Sequence, residues 1–256
     1  MLEDLKRSGI TPAQSKKLKY KTLTQRTTYD LCKKKVKSYK IPYFDIHGKA
    51  TEFFRLRFLE DVKPAFAGKD TKSIRYWQPK DSLPRVYFPP VLPWDEIAES
   101  DETIYITEGE KKAAKACLMD IPTIGLGGVW SWRSKKERID LIEDLEQFEW
   151  KDREVGLVFD NDLHTNDKVL QALRSLAKEL SNRGAKVFVV LLPQSKKKIG
   201  LDDYLLEHDN LDDLDIEEYE DSYELWKLNG ELAFIENPAS YYHIPTNQLF
   251  KETAKL

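Results

Sequence analysis

The sequence has few of the side chains that bind soft metals or form disulfide frameworks. Its only two cysteines, Cys32 and Cys117, lie far apart in 256 residues, and neither belongs to a Cys-x-x-Cys pair or has a histidine at ligand spacing. Two isolated cysteines are most simply reduced thiols, so neither a zinc site nor a disulfide scaffold is predicted. The four histidines are scattered in turn-like contexts, which argues against a histidine-centred site; they are His47, His164, His208 and His243.

Long hydrophobic runs are also missing. No apolar stretch approaches the roughly 20 residues that a membrane-spanning helix needs, and residues 1–6 lack the basic-then-apolar form of a signal peptide. Hydrophobic residues make up 41% of the chain and charged residues 33%, which is typical of a soluble globular protein. We therefore expect one or two domains, a cytoplasmic location and no membrane partner.

The small net charge of −3 conceals an uneven distribution along the chain. Residues 1–100 carry 21 Lys and Arg against 12 Asp and Glu, whereas residues 101–256 carry 20 against 32. A basic half beside an acidic half suits an enzyme that handles polyanions, because one half attracts phosphates and the other holds cations. The competing interpretation is that lysine runs such as Lys33–Lys35 are solvated helix faces.

The first hundred residues combine helical and strand patterns. Thr11-Pro12 predicts a capped helix start, and a second helix is expected over residues 27–36. Residues 39–49 and 52–58 predict a β-hairpin that turns at His47-Gly48.

Alternation in the second strand of this hairpin places Arg55 and Arg57 on the face opposite Phe54, Leu56 and Phe58. We expect that face to be open, with two guanidinium groups available for phosphates.

A further β unit is predicted over residues 75–79 and 85–90, where basic residues alternate with aromatic ones. Single-stranded nucleic acids are bound by such mixtures, so Arg85 joins Arg55 and Arg57 as a predicted contact. The rings of Trp77, Tyr87 and Phe88 are better explained as core.

Beyond residue 100, short apolar runs alternate with helical periodicity, which predicts a parallel sheet flanked by helices. The predicted strands are 103–107, the start of 121–130, 155–159 and 186–192, and the helices are 110–119, 141–148 and 166–183. Gly127-Gly128 lacks the spacing of an ATP-binding P-loop, so we predict a tight turn there, with phosphate contact as the alternative.

Carboxylates follow two of these strands directly. Glu108 ends the first, and Asp160 and Asp162 follow the third. Because ligands bind at the carboxyl edge of a parallel sheet, we expect these acids to share one crevice. Hard oxygen ligands suit Mg²⁺ or Mn²⁺, and like charges this close need a cation.

Residues around the acids suit a phosphorylated ligand. Gly109 allows close backbone approach, and Lys111, Lys112 and Lys168 would meet phosphate charge.

A strand ending in Glu-Gly, a helix, and a strand ending in Asp-x-Asp together resemble the Toprim domain of bacterial-type primases, topoisomerases and some nucleases. Residues 107–113, Gly128–Trp130 and Gly200–Leu205 resemble, more specifically, the Toprim-like domain of unknown function found ahead of helicase modules in replication proteins of plasmids, phages and other mobile elements. The resemblance covers residues 101–207.

The resemblance implies an α/β fold in three parts. A smaller basic α+β subdomain for template and nucleotide handling (1–100) would precede a Toprim-like, Rossmann-like parallel sheet flanked by helices (101–210). An acidic connector and a C-terminal hairpin (211–256) would follow.

The activity implied is that of a DNA primase, a nucleotidyltransferase that makes short primers from nucleoside triphosphates on a single-stranded DNA template. Glu108, Asp160 and Asp162 would be catalytic and, with Asp202, would bind Mg²⁺ or Mn²⁺; a replicative helicase would be the partner, in cis or in trans. Lys112 departs from the family pattern, which usually has an acid there, and no zinc-binding template reader is present.

Two other functions stay open. A Toprim-type nuclease would use the same acids to activate water, and a non-catalytic nucleic-acid-binding module would serve a helicase. The bland alternative for Asp160-Asn-Asp162 is a turn and helix cap.

Overall fold

Two β-sheets and the helices that cover them make up residues Met1–Glu218. The structure is a computed structural model that describes residues 1–64, 73–219, 232–236, 239–243 and 248–251. The first sheet is antiparallel and lies N-terminal in sequence. The second is mixed, with a parallel centre.

Short helices precede and interrupt the first sheet. Thr11 caps one of them through a capping box with Gln14, as its position before Pro12 predicts. The predicted helix over 27–36 begins and ends earlier. In chain order the elements are α1 (Leu2–Lys6), α2 (Pro12–Lys17), β1 (Lys21–Leu23) and α3 (Gln25–Cys32).

The predicted hairpin is confirmed. Strands β2 (Ser38–Phe44) and β3 (Ala50–Val62) pair antiparallel, and Gly48 takes a positive φ of 72° in the turn. β1 lies outside β2, and β4 (Ile74–Trp77) lies on the other side of β3. Leu56 and Phe58 are buried, as the alternation predicts.

The second sheet confirms the predicted α/β class. Its strands are β5 (Val86–Tyr87), β6 (Ile104–Glu108), β7 (Thr123–Leu126), β8 (Glu154–Val158), β9 (Lys186–Leu191) and β10 (Asp215–Glu218). Their order across the sheet is β10-β9-β8-β6-β7-β5, and the central four run parallel. The helices between them are α4 (Trp94–Glu99), α5 (Glu110–Cys117), α6 (Glu143–Glu146), α7 (Asp167–Ser181) and α8 (Leu201–Tyr204).

Both edge strands differ from expectation. The predicted β unit over 75–90 is split, because β4 joins the first sheet while β5 pairs with β7 in the second. Asp215–Glu218 lies in the run expected to be a connector, yet it pairs antiparallel with β9. Local patterns do not show which sheet a short strand joins, since pairing is a tertiary choice.

One hydrophobic cluster contains residues from both sides of residue 100. Leu5, Tyr39 and Ile41 pack with Tyr87 and with alanines of α5. Tyr87 and Phe88 are fully buried, as predicted, whereas Trp77 is only partly buried. The first sheet and the start of α5 therefore belong to one packed body.

Residues Tyr219–Leu256 form a second unit. In it β11 (Leu232–Glu236) pairs antiparallel with β12 (Ala239–His243), which confirms the predicted hairpin, and β13 (Gln248–Lys251) adds a third strand. The turn at 237–238 lies outside the described residues. Within the described part of the chain, every helix is too short or too polar to cross a membrane.

Candidate active site

The predicted acids lie where the chain reverses its course across the second sheet. β6 and β8 are neighbours, with Thr107 opposite Val158. After β6 the chain crosses to β7 on one side, and after β8 it crosses to β9 on the other. Such a switch point leaves a crevice outside the carboxyl ends of the two strands, and Glu108 and Asp160 stand at those ends.

Glu108, Asp160 and Asp162 converge, as the sequence predicts. Burial is the largest influence on Glu108 and raises the pKa of its carboxyl above the usual value. Lys112 is the next influence and lowers this pKa, Asp160 raises it, and the weaker effects of Lys198 and Asp162 lower and raise it in turn, so the net rise is due to burial. The Glu108 carboxyl therefore lies within electrostatic reach of the two aspartates and the two lysines.

Two lysines neutralise the acid pair. Lys112 pairs with Oδ1 of Asp160, a residue only 4% exposed. Lys198 Nζ lies 2.9 Å from Asp160 Oδ2 and 2.9 Å from Asp162 Oδ2, so it bridges the two side chains. Burial opposes its charge, yet the bonds to Asp162 and Asp160 outweigh burial and raise the pKa of Lys198. This ammonium group is therefore charged at neutral pH.

Asn161, between the two acids, fixes the loop that carries Lys198. Its side chain donates to the carbonyl oxygens of Pro193 (3.2 Å) and Lys197 (3.1 Å). The side-chain oxygen accepts from the backbone N–H of Ile199 at 2.8 Å, and the backbone N–H of Asn161 donates to Ile199 O at 3.1 Å. The sequence shows an Asp-x-Asp motif and a lysine run at 196–198, but it does not show that the middle residue joins them.

Two glycines bring backbone close to the acids. Gly109 is the N-cap residue just before α5, with φ 109°, and its backbone N–H donates to Leu126 O at 2.7 Å. A Cβ at Gly200 would lie 2.6 Å from Lys112 Cε and 3.1 Å from both Asp160 Oδ1 and Asp202 Oδ1. Asp202 therefore borders the same crevice, as the resemblance implies.

Of the other predicted phosphate contacts, Lys111 is paired elsewhere and Lys168 is exposed to solvent. Lys111 points to α1, where its Nζ lies 3.4 Å from Asp4 Oδ2. Lys168 lies in the first turn of α7 and is exposed. Among the three predicted lysines, only Lys112 touches an acid of the site.

The expectation of an open arginine face is wrong. The side chain of Arg55 is 11% exposed, and its Nη1 lies 2.7 Å from Oε1 of the fully buried Glu110 and 2.9 Å from Gly127 O. Tyr43 Oη donates to the same Glu110 oxygen at 2.9 Å. α5 thus covers this part of β3.

Arg57 and Arg85 are engaged in the same way. Arg57 is 13% exposed and contacts Asp4 Oδ1 at 3.2 Å, because α1 covers its end of the strand. Arg85 lies 2.5 Å from Oδ1 of Asp144, which is 2% exposed. These pairings do not favour nucleic-acid contact by any of the three arginines, and that assignment stays a prediction.

The crevice offers oxygen donors for a hard cation, but two lysines already neutralise them. Among the residues described, no group of three or more His, Cys, Asp or Glu side chains is arranged to hold a metal ion. Asp160 and Asp162 already share one cation, the Lys198 ammonium, and Asp162 Oδ1 is buried without a hydrogen-bond partner. This pair of hard oxygen donors fits Mg²⁺ or Mn²⁺.

Comparison by sequence identifies one domain family. Residues 93–211 match a family model described as a domain of unknown function, DUF3854. No curated protein sequence matches the chain.

Comparison by structure finds bacterial primases. The zinc-binding and RNA polymerase domains of the Aquifex aeolicus primase align with a TM-score of 0.57 at 15% identity, over 84% of this chain and 56% of that one. The RNA polymerase domain of Mycobacterium tuberculosis primase DnaG, solved with double-stranded DNA, aligns with a TM-score of 0.52 at 14% identity, over 80% and 68%. This chain therefore has the fold of primase catalytic cores and spans a little over half of the solved Aquifex chain.

Proposed function

We propose that this chain is a metal-dependent nucleotidyltransferase that synthesises short primers on single-stranded DNA. The observation that carries the proposal is the convergence of Glu108, Asp160 and Asp162 at the switch point of a primase-type sheet. Phosphoryl transfer consists largely of positioning and charge stabilisation, and this crevice offers acids for a cation and lysines for phosphates.

The residues divide into three roles in this proposal. Asp160 and Asp162 would hold Mg²⁺ or Mn²⁺, which would supply positive charge for the triphosphate. Lys112 and Lys198, released from the carboxylates, meet phosphate oxygens. Glu108 accepts the proton of the attacking 3′-hydroxyl at its carboxylate, for which a raised pKa is favourable.

A replicative helicase partner, in cis or in trans, follows from the sequence resemblance alone. The same holds for a role in the replication of a plasmid, phage or other mobile element, and for a cytoplasmic location. These stay predictions.

The test is primer synthesis by wild type and Asp160→Ala on single-stranded DNA, with labelled nucleotides, across Mg²⁺ and Mn²⁺. We expect elongation products from the wild type only. Asp167→Ala is the matched control, because this exposed acid begins α7 outside the site.

Two results would contradict the proposal. Loss of template without synthesis, abolished by Asp160→Ala, identifies a nuclease. Binding of DNA with neither reaction identifies a non-catalytic module.

A further inference from the structure

A basic and aromatic segment borders the candidate site and takes no part in the contacts between its acids and lysines. This segment, Trp130–Arg138, contains two tryptophans and four basic residues against one acid. It interrupts a half of the chain that is otherwise strongly acidic. Its basic and aromatic residues are Trp130, Trp132, Arg133, Lys135, Lys136 and Arg138.

The Trp130–Arg138 segment starts at the rim of the crevice. It follows β7, whose last residue Leu126 lies opposite Glu108 in the parallel register. Leu126 O accepts from Gly109 N at 2.7 Å, and Gly127 O accepts from Arg55 at 2.9 Å. The chain therefore leaves the sheet at the level of the Glu-Gly turn, on the edge where the acids stand.

A buried tryptophan anchors the segment. Trp132 is 1% exposed, and its carbonyl oxygen accepts from Ile142 N at 3.0 Å. Ser134 and Ile139 exchange two backbone hydrogen bonds of 2.9 Å, which closes a small loop with Arg138 at positive φ. The loop residues 135–138 are exposed. The segment is thus a fixed projection with a basic tip.

Trp130 remains partly accessible beside this anchor. Its ring centroid lies 6.1 Å from that of Trp132, and the Arg133 guanidinium lies over both rings, 4.1 Å and 4.8 Å from their centroids. Lys135 Nζ lies 5.9 Å from the Trp130 centroid. The Trp130 ring, which can stack on a base, therefore lies beside the cations of Arg133 and Lys135, which can pair with phosphate.

The arginines predicted from sequence to contact nucleic acid are largely engaged inside the protein, with Glu110, Asp4 and Asp144. We propose that the Trp130–Arg138 segment is instead a binding surface for single-stranded nucleic acid. A base stacks on the Trp130–Arg133 pair, and Lys135, Lys136 and Arg138 contact phosphates. A single strand is the fitting partner because its base faces are free to stack.

This inference rests on the proposed function for its substrate class, but its test needs neither metal nor nucleotide. Fluorescence anisotropy compares a labelled oligothymidine with an abasic sugar-phosphate strand of equal length, in a chelator. Wild type should prefer the strand that carries bases. Trp130→Ala should weaken binding of that strand about fivefold or more, at the lower end of stacking on one aromatic ring, and leave the abasic strand unchanged. Trp130→Phe should restore most of the preference.

A second variant tests the tip without disturbing the anchor. Lys135→Ala/Lys136→Ala should weaken the binding of both strands. It should also reduce the slope of log affinity against log salt by about 1.4, because each phosphate contact on a single strand contributes about 0.7. The control is Tyr29→Ala, which removes an exposed aromatic ring with Lys33 Nζ 5.4 Å from its centroid, on α3. It should bind both strands as the wild type does.

Equal binding of the base-bearing strand by wild type and Trp130→Ala would overturn the inference. So would an equal loss on both strands, since it would indicate charge without stacking, or an absence of binding by wild type. Asp167→Ala, which changes an exposed acid outside the site, should keep the preference for bases. If the wild type prefers bases but makes no primers, the binding surface is supported and the proposed function is contradicted. If the wild type makes primers and Trp130→Ala binds both strands normally, the proposed function is supported and the binding surface is contradicted.

Discussion

Asn161 and Ile199 exchange two hydrogen bonds across the candidate site, 3.1 Å from Asn161 N to Ile199 O and 2.8 Å from Ile199 N to Asn161 Oδ1. One backbone and one side-chain hydrogen bond therefore hold the Asp-Asn-Asp turn against the lysine loop after β9. Lys198 owes its position between Asp160 and Asp162 to this pairing.

Asn161→Ala should loosen the lysine loop. It leaves Pro193 O, Lys197 O and Ile199 N without their side-chain partner, and we expect a loss of about 1–3 kcal/mol in the free energy of unfolding. Trypsin should then cleave after the lysines at 196–198 faster than in wild type, as mass spectrometry of the fragments would show. Asn166→Ala is the control, because Asn166 makes no side-chain cap bond at the start of α7. Equal cleavage rates in both variants would contradict the assignment.

Arg55→Ala should destabilise the fold strongly. It leaves Glu110, which is fully buried, without its cation, and breaking such a pair costs roughly 3–5 kcal/mol. Urea unfolding measures this. Arg55→Met/Glu110→Met should recover part of the loss, because it removes the unpaired charge, although Tyr43 Oη and Gly127 O lose their partners.

Arg75→Ala is the matched control for Arg55. Its pair with Asp61 spans 3.3 Å, but both side chains are more than half exposed, so we expect a change within about 1 kcal/mol. A similar small effect of Arg55→Ala would mean that Arg55 is not structural and would return it to the predicted nucleic-acid contacts.

The pH dependence of stability should contain a contribution from Asp4. Burial raises the pKa of this carboxyl, but Lys111, Arg57 and the hydrogen bond from Tyr39 together outweigh burial and hold the pKa below its usual value of 3.8. A depressed folded-state pKa stabilises the protein above the unfolded value, and this stabilisation is lost as the pH falls through the folded pKa. Asp4→Asn should therefore reduce stability at pH 6 and flatten its decline as the pH falls below about 4. Parallel curves for the two proteins would contradict the ion pairing.

Gly109→Ala should disturb the turn after Glu108 through the backbone alone. A Cβ there meets only Lys112 Cδ at 4.0 Å, but a φ of 109° is one that L-residues rarely adopt. We expect a loss of about 1–3 kcal/mol in unfolding free energy and a matching fall in the thermal midpoint. Gly128→Ala is the control, since its φ is not positive and a Cβ would make an ordinary 3.5 Å contact with Ser131. Equal midpoints would exclude backbone strain at Gly109.

Local patterns predict the second sheet well because parallel buried strands are continuous apolar runs. The runs before Glu108 and Asp160 identify β6 and β8, but the α/β class alone does not place β8 beside β6 with β7 on the other side. The partners of charged side chains could not be predicted in the same way. Alternation correctly places Arg55 and Arg57 on the face opposite Leu56. Whether the arginine face is exposed to solvent depends on where α1 and α5 pack, which the alternation within β3 does not show. Lys198 was missed for the same reason, since its contact depends on a side-chain bridge from Asn161.

The lysines in the crevice make the shape of the site independent of dissolved ions. Carboxylates crowded at two strand ends repel one another when nothing neutralises them, but here the countercharge of Lys112 and Lys198 is covalently attached to the chain. Purification in EDTA should therefore leave the melting temperature unchanged. A divalent ion that binds the aspartates has to compete with the ammonium groups of Lys112 and Lys198, and this competition lowers its affinity.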